Sequence, residues 1–117
     1  MARDYTPRRM PKRFRDGDCP DGVLDIIDEG PNSFADRYTV VYTEVIAPHD
    51  PFNRSIGYRG MCANPMHPLG VGMYGELKVH EMVAYRARKA RKRIKWSDLP
   101  KDVRYVAKRD CRTDATA

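Results

Sequence analysis

The chain has 117 residues, the length of a single domain, and carries a net charge of +6 at neutral pH. Its cysteines, Cys19, Cys62 and Cys111, are odd in number and far apart, which excludes a disulfide framework and favours a reduced, cytoplasmic protein. No apolar run approaches the roughly 18 residues that a membrane span needs, and the basic N-terminus lacks the apolar segment of a signal peptide.

The charges fall into three blocks along the chain. Residues 1–15 hold six basic residues and one acid, residues 16–77 hold three basic residues and ten acids, and residues 78–117 hold thirteen basic residues and five acids. Basic flanks around an acidic middle predict an anionic partner, and nucleic acid is the first candidate. The alternative is that the flanks neutralise the acidic middle, within one fold or between protomers of a homo-oligomer.

The first 21 residues contain three prolines, many charges and few aliphatic side chains. This composition predicts a flexible basic arm over residues 1–21, followed by a single domain over residues 22–112 and a short C-terminal tail over residues 113–117. An arginine-rich arm either follows a phosphate backbone or is merely a solvated tail.

Three segments after the arm have the composition and the alternation of β-strands: Val23–Asp28, Arg37–Ile46 and Ser55–Ala63. Turn-forming residues separate them, and their spacing favours an antiparallel meander. Gly57 and Gly60 in the third segment indicate a bulge or a close approach of another backbone.

The C-terminal half has a helical pattern in two places. Residues 75–93 place apolar side chains roughly on one side and end in an almost wholly basic stretch. Residues 94–96 are a candidate short strand, and Trp96 is expected in the core. A second helix starts at Ser97, a favourable N-cap, with a buried stripe at Leu99, Val103 and Val106. The predicted fold class is α+β: a small antiparallel sheet of three or four strands, packed by one or two helices, with a disordered basic N-terminal arm.

Several segments resemble small uncharacterised proteins of tailed bacteriophages. These segments are DRYTVVY, NPMHPLGVGMYGE and RIKWSDLPKDV, and the resemblance covers roughly residues 21–110. Its most specific marks are HPLGVGMYG, from His67 to Gly75, and WSDLP, from Trp96 to Pro100. No activity is assigned to that group, so the resemblance implies a phage origin and a place in the host cytoplasm but no chemistry.

The segment GVGMYG matches the letters of the dinucleotide fingerprint G-x-G-x-x-G. The preceding segment is flanked by prolines, and residues 86–97 are almost all basic, so the strand and the acid that a Rossmann site needs are both missing. A weaker hypothesis is a small-ligand site, for instance in an anti-defence protein that sequesters a nucleotide signal through backbone N–H groups. Its candidate residues are Arg59, His67, Gly70, Gly72, Tyr74 and Gly75. The simpler alternative is that the glycines supply positive φ angles in a tight surface loop.

Signals for metal binding and catalysis are weak. Cys62, His67 and His80 are close in sequence, but no pair has the spacing of a zinc site. No nucleophile elbow surrounds any of the few serines. We therefore predict no metal, no cofactor and no enzymatic activity.

The run RARKARKRIK carries seven bases in ten residues and no acid. Like charges at this spacing destabilise an isolated helix, and phosphates or an acidic surface of the same or another chain would compensate. The remaining alternative is a plain solvated helix end. The favoured hypothesis is a non-enzymatic accessory protein that binds nucleic acid through phosphates with weak sequence specificity, assisted by the arm. The predicted contact residues are Arg86, Arg88, Lys89, Arg91, Lys92, Arg93 and Lys95. A further alternative is a structural or interaction protein whose basic flanks pair with acidic partner surfaces.

Overall fold

The computed structural model describes residues 7–33, 36–65 and 70–116, which form a four-stranded sheet and two α-helices. The strands are β1 (Val23–Asp28), β2 (Tyr38–Ile46), β3 (Ser55–Met61) and β4 (Val71–Lys78), and the helices are α1 (Val79–Arg88) and α2 (Lys101–Thr116). Short 3-10 turns lie at Lys12–Phe14, Ala90–Lys92 and Trp96–Asp98. The predicted α+β class is confirmed.

The sheet is an antiparallel meander in which the four strands lie in chain order. The first three strands lie where the sequence predicts them, and β1 has the predicted bounds. Their β-branched and aromatic residues suit a pleated surface, and the connections between them are rich in turn-forming residues.

The strand β4 occupies a segment for which we expected a loop and then a helix from Gly75, and both expectations are wrong, because α1 begins at Val79. Glycines are needed in β3 and β4 because a tyrosine ring from each strand lies over a glycine of the other. A Cβ at Gly75 would lie 2.8 Å from the Tyr58 ring, and a Cβ at Gly57 would clash with the Tyr74 hydroxyl. A glycine-rich strand lacks the side chains that make a strand recognisable, so its sequence pattern resembles a loop.

Alternation along the strands sends side chains to both faces of the sheet, and each face carries a core. On one face, Val79 and Met82 of α1 pack against Leu24, Val41 and Ile56. The other face is covered by α2, the turn at Trp96 and the N-terminal segment. Its core consists of Met10, Val23, Ile26, Tyr38, Val40, Tyr42, Met61, Trp96, Leu99, Val103, Val106 and Ala107. The predicted stripe of the last helix and the core position of Trp96 are therefore confirmed.

Residues 7–21, called here the N-terminal segment, pack against the domain and correct the predicted flexible arm for this part of the chain; residues 1–6 lie outside the described residues. Met10 is buried, and Phe14 packs against the same core from a 3-10 turn. The segment has few apolar side chains among many charges, so its composition is typical of disorder. The burial of Met10 and the packing of Phe14 nevertheless anchor it to the domain.

Both basic flanks of the chain supply hydrogen bonds to β1. The Met10 N–H donates to the carbonyl of Leu24 at 3.0 Å, and the Ile94 N–H donates to the carbonyl of Ile26 at 3.2 Å. The guanidinium of Arg15 donates to another carbonyl of the same strand. Since β1 is the first strand of the sheet and pairs with β2 on its other side, these bonds cover its outer edge.

The segment that follows α1 also differs from the prediction. In place of a strand over residues 94–96 there is one isolated bridge to β1 and then a 3-10 turn from Trp96. Ser97, predicted to cap the last helix, instead donates its hydroxyl to Asp16 at 2.5 Å, and α2 begins at Lys101. The residues around Ser97 resemble the start of a helix, but they do not show that the distant Asp16 binds its hydroxyl.

Candidate nucleic-acid interface

The seven basic residues predicted to bind nucleic acid lie at the end of α1 and on the turn and extended segment that follow it. They do not form one continuous helix, because α1 ends at Arg88. Four of the side chains form ion pairs with acids of β1 and the residue after it, and three remain exposed. The two sets differ in what they can do.

The carboxylate of Asp25 binds two of the predicted contact residues. Asp25 has no exposed surface, and its oxygens accept from Arg86 Nε at 2.6 Å, Arg93 Nε at 2.7 Å and Arg93 Nη2 at 2.8 Å. Burial alone would raise the pKa of Asp25, but the hydrogen bonds and charges of the two guanidinium groups outweigh it and hold that pKa below its usual value. Arg86 and Arg93 therefore neutralise a buried charge and attach the basic run to β1.

Glu29, directly after β1, binds two more of them. Its carboxylate accepts from Lys89 Nζ at 2.8 Å and lies 3.5 Å from Lys92 Nζ, and the Tyr85 hydroxyl donates to it at 3.4 Å. Burial would raise the pKa of Glu29, whereas the two ammonium groups lower it below its usual value. For these four cations the acidic middle of the same chain neutralises the basic flank, which was the alternative that the sequence left open.

Arg88, Arg91 and Lys95 keep their charges at the surface. All three are exposed, and none forms an ion pair within the part of the chain that the structure describes. The Arg88 guanidinium lies 5.9 Å from the centre of the Tyr85 ring, so an aromatic face restricts its position. These three side chains can meet an anion without first breaking an internal pair.

The N-terminal segment and α1 form a groove of about 570 Å³. Arg8 and Arg9 line it from one flank of the chain and Arg86 and Arg93 from the other, around an apolar surface that includes Val83. The fold thus brings together two basic regions that lie far apart in sequence. Arg8 and Arg9 belong to the predicted arm, but the sequence did not indicate which element they face.

A second cavity, of about 430 Å³, lies between α1 and the sheet. Its lining includes two tyrosine rings, two apolar side chains and two carboxylates, from Tyr58, Tyr85, Leu77, Met82, Glu29 and Asp36. Asp36 and Tyr85 are not among the site residues predicted from the sequence. A single acid in a turn and a tyrosine on a helix carry no local signal that would distinguish them from surface residues.

Two members of the predicted small-ligand site, Arg59 and Tyr74, face α2 and not this cavity. Arg59 Nε donates to Asp110 at 2.7 Å, and the Tyr74 ring stacks on Tyr42 with centroids 5.7 Å apart. The Tyr42 hydroxyl donates to the same Asp110 carboxylate at 2.6 Å, and burial together with this bond raises the pKa of Tyr42. The cluster attaches α2 to the sheet.

The glycines of the predicted ligand loop do not form a loop. Gly72 and Gly75 lie in β4, Gly70 directly precedes it, and none of the three has a positive φ. Of the described members of that site, only Gly72 borders the second cavity. His67 lies outside the described residues. The expectation of a loop that aims its N–H groups at an anion is therefore corrected.

Among the described residues, no three His, Cys, Asp or Glu side chains come together as a metal site requires. Neither helix in this part of the chain has the length and the apolar composition needed to cross a membrane. No protein-family model matches the chain, and neither a curated protein nor a solved structure matches it, so its geometry alone carries the functional inference.

Proposed function

We propose that the protein binds nucleic acid through its phosphates and acts as a non-enzymatic accessory protein of the phage type. The observation that carries this proposal is the groove between the N-terminal segment and α1, because arginines from both basic flanks line it. Clustered arginine side chains are the usual partners of a phosphate backbone.

The exposed cations define the proposed contact surface. Arg88, Arg91 and Lys95 have no ion-pair partner among the described residues, and Arg8 and Arg9 are exposed at the groove. The pairs that Arg86 and Arg93 form with the buried Asp25 reduce the net charge that these two side chains offer to a ligand. The proposal therefore assigns them a positioning role.

Weak sequence specificity follows from the side chains beside the groove. There α1 presents Val83 and Ala87, which lack the donors and acceptors that read base edges in a duplex. Binding that depends on phosphates alone falls steeply as salt increases, with a slope of about −0.9 in log–log form per phosphate contact for duplex DNA.

The test is a fluorescence anisotropy titration with labelled double-stranded DNA, single-stranded DNA and RNA at a series of salt concentrations. The double variant Arg88→Ala/Arg91→Ala is compared with Lys101→Ala/Arg104→Ala, which removes the same charge from α2 on the opposite face of the sheet. We expect the first variant to weaken binding to every sequence. The slope of log affinity against log salt should decrease in magnitude by the contribution of about two phosphate contacts. The second variant should bind like the unmodified protein.

Two outcomes would contradict the proposal. Equal losses in both variants would show that only total charge matters. Absence of binding at low salt, together with a discrete oligomer that dissociates at high salt, would replace the proposal with an interaction protein whose basic flanks pair with acidic surfaces.

A further inference from the structure

We propose that the cavity between α1 and the sheet binds one unpaired guanine base of the nucleic acid, an inference that rests on the proposed function. We call this cavity the base pocket. The inference extends that function from phosphate contact to recognition of a base. The ligand is then single-stranded nucleic acid, because a base paired in a duplex cannot enter the pocket.

The base pocket has a lining that suits one aromatic base. Its volume is about 430 Å³, and the rings of Tyr58 from β3 and Tyr85 from α1 border it together with the apolar side chains of Leu77 and Met82. Tyrosine rings stack on the π face of any base, and apolar side chains pack against the remaining surface of the base. The bond from the Tyr85 hydroxyl to Glu29, at 3.4 Å, restricts the position of one ring.

The carboxylate of Asp36 supplies the polar contact. It lies against the backbones of β3 and β4, where a Cβ at Gly60 would be 2.5 Å from Asp36 Oδ1 and a Cβ at Gly72 would be 3.2 Å from it. A side chain at Gly60 would force the carboxylate to move, and one at Gly72 would crowd it. Asp36 forms no ion pair with the described residues, whereas Glu29, the other acid of the pocket, is bound by lysines.

The chemistry of this carboxylate selects the base. An ionised carboxylate accepts hydrogen bonds and donates none. Guanine carries two adjacent donors on its Watson–Crick edge, N1–H and the 2-amino group, and these match the two oxygens of one carboxylate. Adenine and cytosine present a single amino group on that edge, and thymine and uracil present a single N–H. Lys89 and Lys92 compensate the charge of Glu29, whereas the charge of Asp36 has no ion-pair partner among the described residues and disfavours a phosphate beside it. An uncharged base is therefore the better partner for this carboxylate than the backbone.

The base pocket and the basic groove lie on adjacent sides of α1. Tyr85 and Lys89 border the pocket, and Arg86 and Ala90 border the groove. An α-helix with its side chains is about 10–12 Å across, a distance that a strand of a few nucleotides spans. A strand whose phosphates contact the groove and the exposed Arg88 therefore reaches the pocket with one base.

The test compares labelled oligothymidines that differ at one central position. The position holds thymine, adenine, guanine, inosine, which keeps N1–H but lacks the 2-amino group, or 2-aminopurine, which keeps the amino group but lacks N1–H. We expect guanine to tighten binding about tenfold over thymine, with inosine and 2-aminopurine in between, since a bidentate contact to a base discriminates by roughly this amount. The salt slope should be the same for all five oligonucleotides, because each has the same phosphates.

The variant Asp36→Asn tests the residue, with Asp102→Asn on α2 as the matched control. Asp36→Asn should abolish the preference for guanine while leaving the affinity for oligothymidine and its salt slope unchanged, and Asp102→Asn should keep the preference. Circular dichroism melting of both variants verifies that they are folded. Equal affinity for all five oligonucleotides with a normal salt slope would overturn the base pocket and leave the phosphate interface intact. Absence of binding to all five oligonucleotides would overturn the base pocket, and absence of binding to double-stranded DNA and RNA as well would overturn both proposals.

Discussion

Arg93 donates two hydrogen bonds to the carboxylate of Asp25, from Nε at 2.7 Å and from Nη2 at 2.8 Å, and this carboxylate has no exposed surface. A bidentate pair fixes both the position and the plane of the guanidinium group. The pair joins the segment after α1 to the centre of β1. A stretch of sequence that resembles a purely anion-binding run is thus partly a structural element.

Replacing Arg93 with alanine should destabilise the fold. The substitution removes two charge-assisted hydrogen bonds from a buried carboxylate, a change that costs about 3–5 kcal/mol when the charge is left without compensation. We expect a loss near the lower end of that range, because Arg86 still pairs with Asp25. Urea denaturation measures the free energy of unfolding.

The control for this substitution is Arg91→Ala, since Arg91 is exposed and forms no ion pair among the described residues. Its effect on the free energy of unfolding should stay within about 0.5 kcal/mol. Similar losses in the two variants would show that the buried pair has no structural role.

Acid should destabilise the protein through carboxylates that are ionised in the fold. Hydrogen bonds from Lys108 and Trp96 lower the pKa of Asp18 to about 2, and the pKa values of Asp25 and Glu29 are also lowered. A carboxylate with a depressed pKa stabilises the fold fully above its unfolded value, near 4, and loses that contribution as the pH falls through its folded value. The melting temperature should therefore fall between about pH 4 and pH 2.

The variant Asp18→Asn assigns part of this acid sensitivity to one group. It should have a shallower decline of melting temperature below about pH 4 than the unmodified protein, because one carboxylate no longer takes up a proton on unfolding. Asp21→Asn serves as the control, since Asp21 is exposed and forms no ion pair with the described residues. Identical profiles for the two variants would contradict the role of Asp18.

Replacing Tyr42 with phenylalanine should destabilise the contact between the sheet and α2. The Tyr42 hydroxyl donates to the Asp110 carboxylate at 2.6 Å, and hydrogen bonds to charged groups contribute about 1.5–3 kcal/mol. The matched control is Tyr105→Phe, because 51% of the Tyr105 surface is exposed and its hydroxyl forms no hydrogen bond within residues 7–33, 36–65 and 70–116. Chemical denaturation of both variants measures the difference, and a loss in Tyr42→Phe no larger than in the control would count against the buried bond.

Gly57→Ala should be strongly destabilising because the new Cβ would clash with the Tyr74 side chain. Forced overpacking typically costs about 1–3 kcal/mol. The same substitution in a Tyr74→Ala background should cost much less, because the ring that it meets is then gone. A double-mutant cycle of unfolding free energies measures this coupling. If the losses in unfolding free energy from the two substitutions are additive, the glycine is required for a reason other than contact with the Tyr74 ring.

The sequence predicts the parts of the fold whose signal is local. β1 and β2 carry dense β-branched residues, such as Val40 and Val41, and both lie where the sequence predicts them. The last helix has a clear apolar stripe, which is buried as predicted, although the helix begins at Lys101 and not at Ser97. The strand β4 was missed because Gly72 and Gly75 replace the side chains that would mark a strand. What those glycines accommodate becomes visible only when the neighbouring strand is in place.

The candidate site illustrates the same limit over longer distances. The basic run is evident in the sequence, but its division into paired and exposed cations depends on acids far away, as with Asp25 and Arg86, which are 61 residues apart. The groove likewise depends on how the N-terminal segment packs, which its composition does not predict. The charge pattern of the sequence indicates that the basic run needs negative charges to compensate it, but it does not identify which acids supply them.

The hydrogen bonds that Met10 and Ile94 donate to β1 also matter for the behaviour of the protein in solution. An uncovered strand edge is a template on which other chains can pair and aggregate. Deleting residues 1–15 to lower the charge would uncover the edge of β1 at the same time, so precipitation of such a truncation would say nothing about anion binding. The proposed affinity for a polyanion and the cover over the edge of β1 thus depend on the same two short segments, around Met10 and around Ile94.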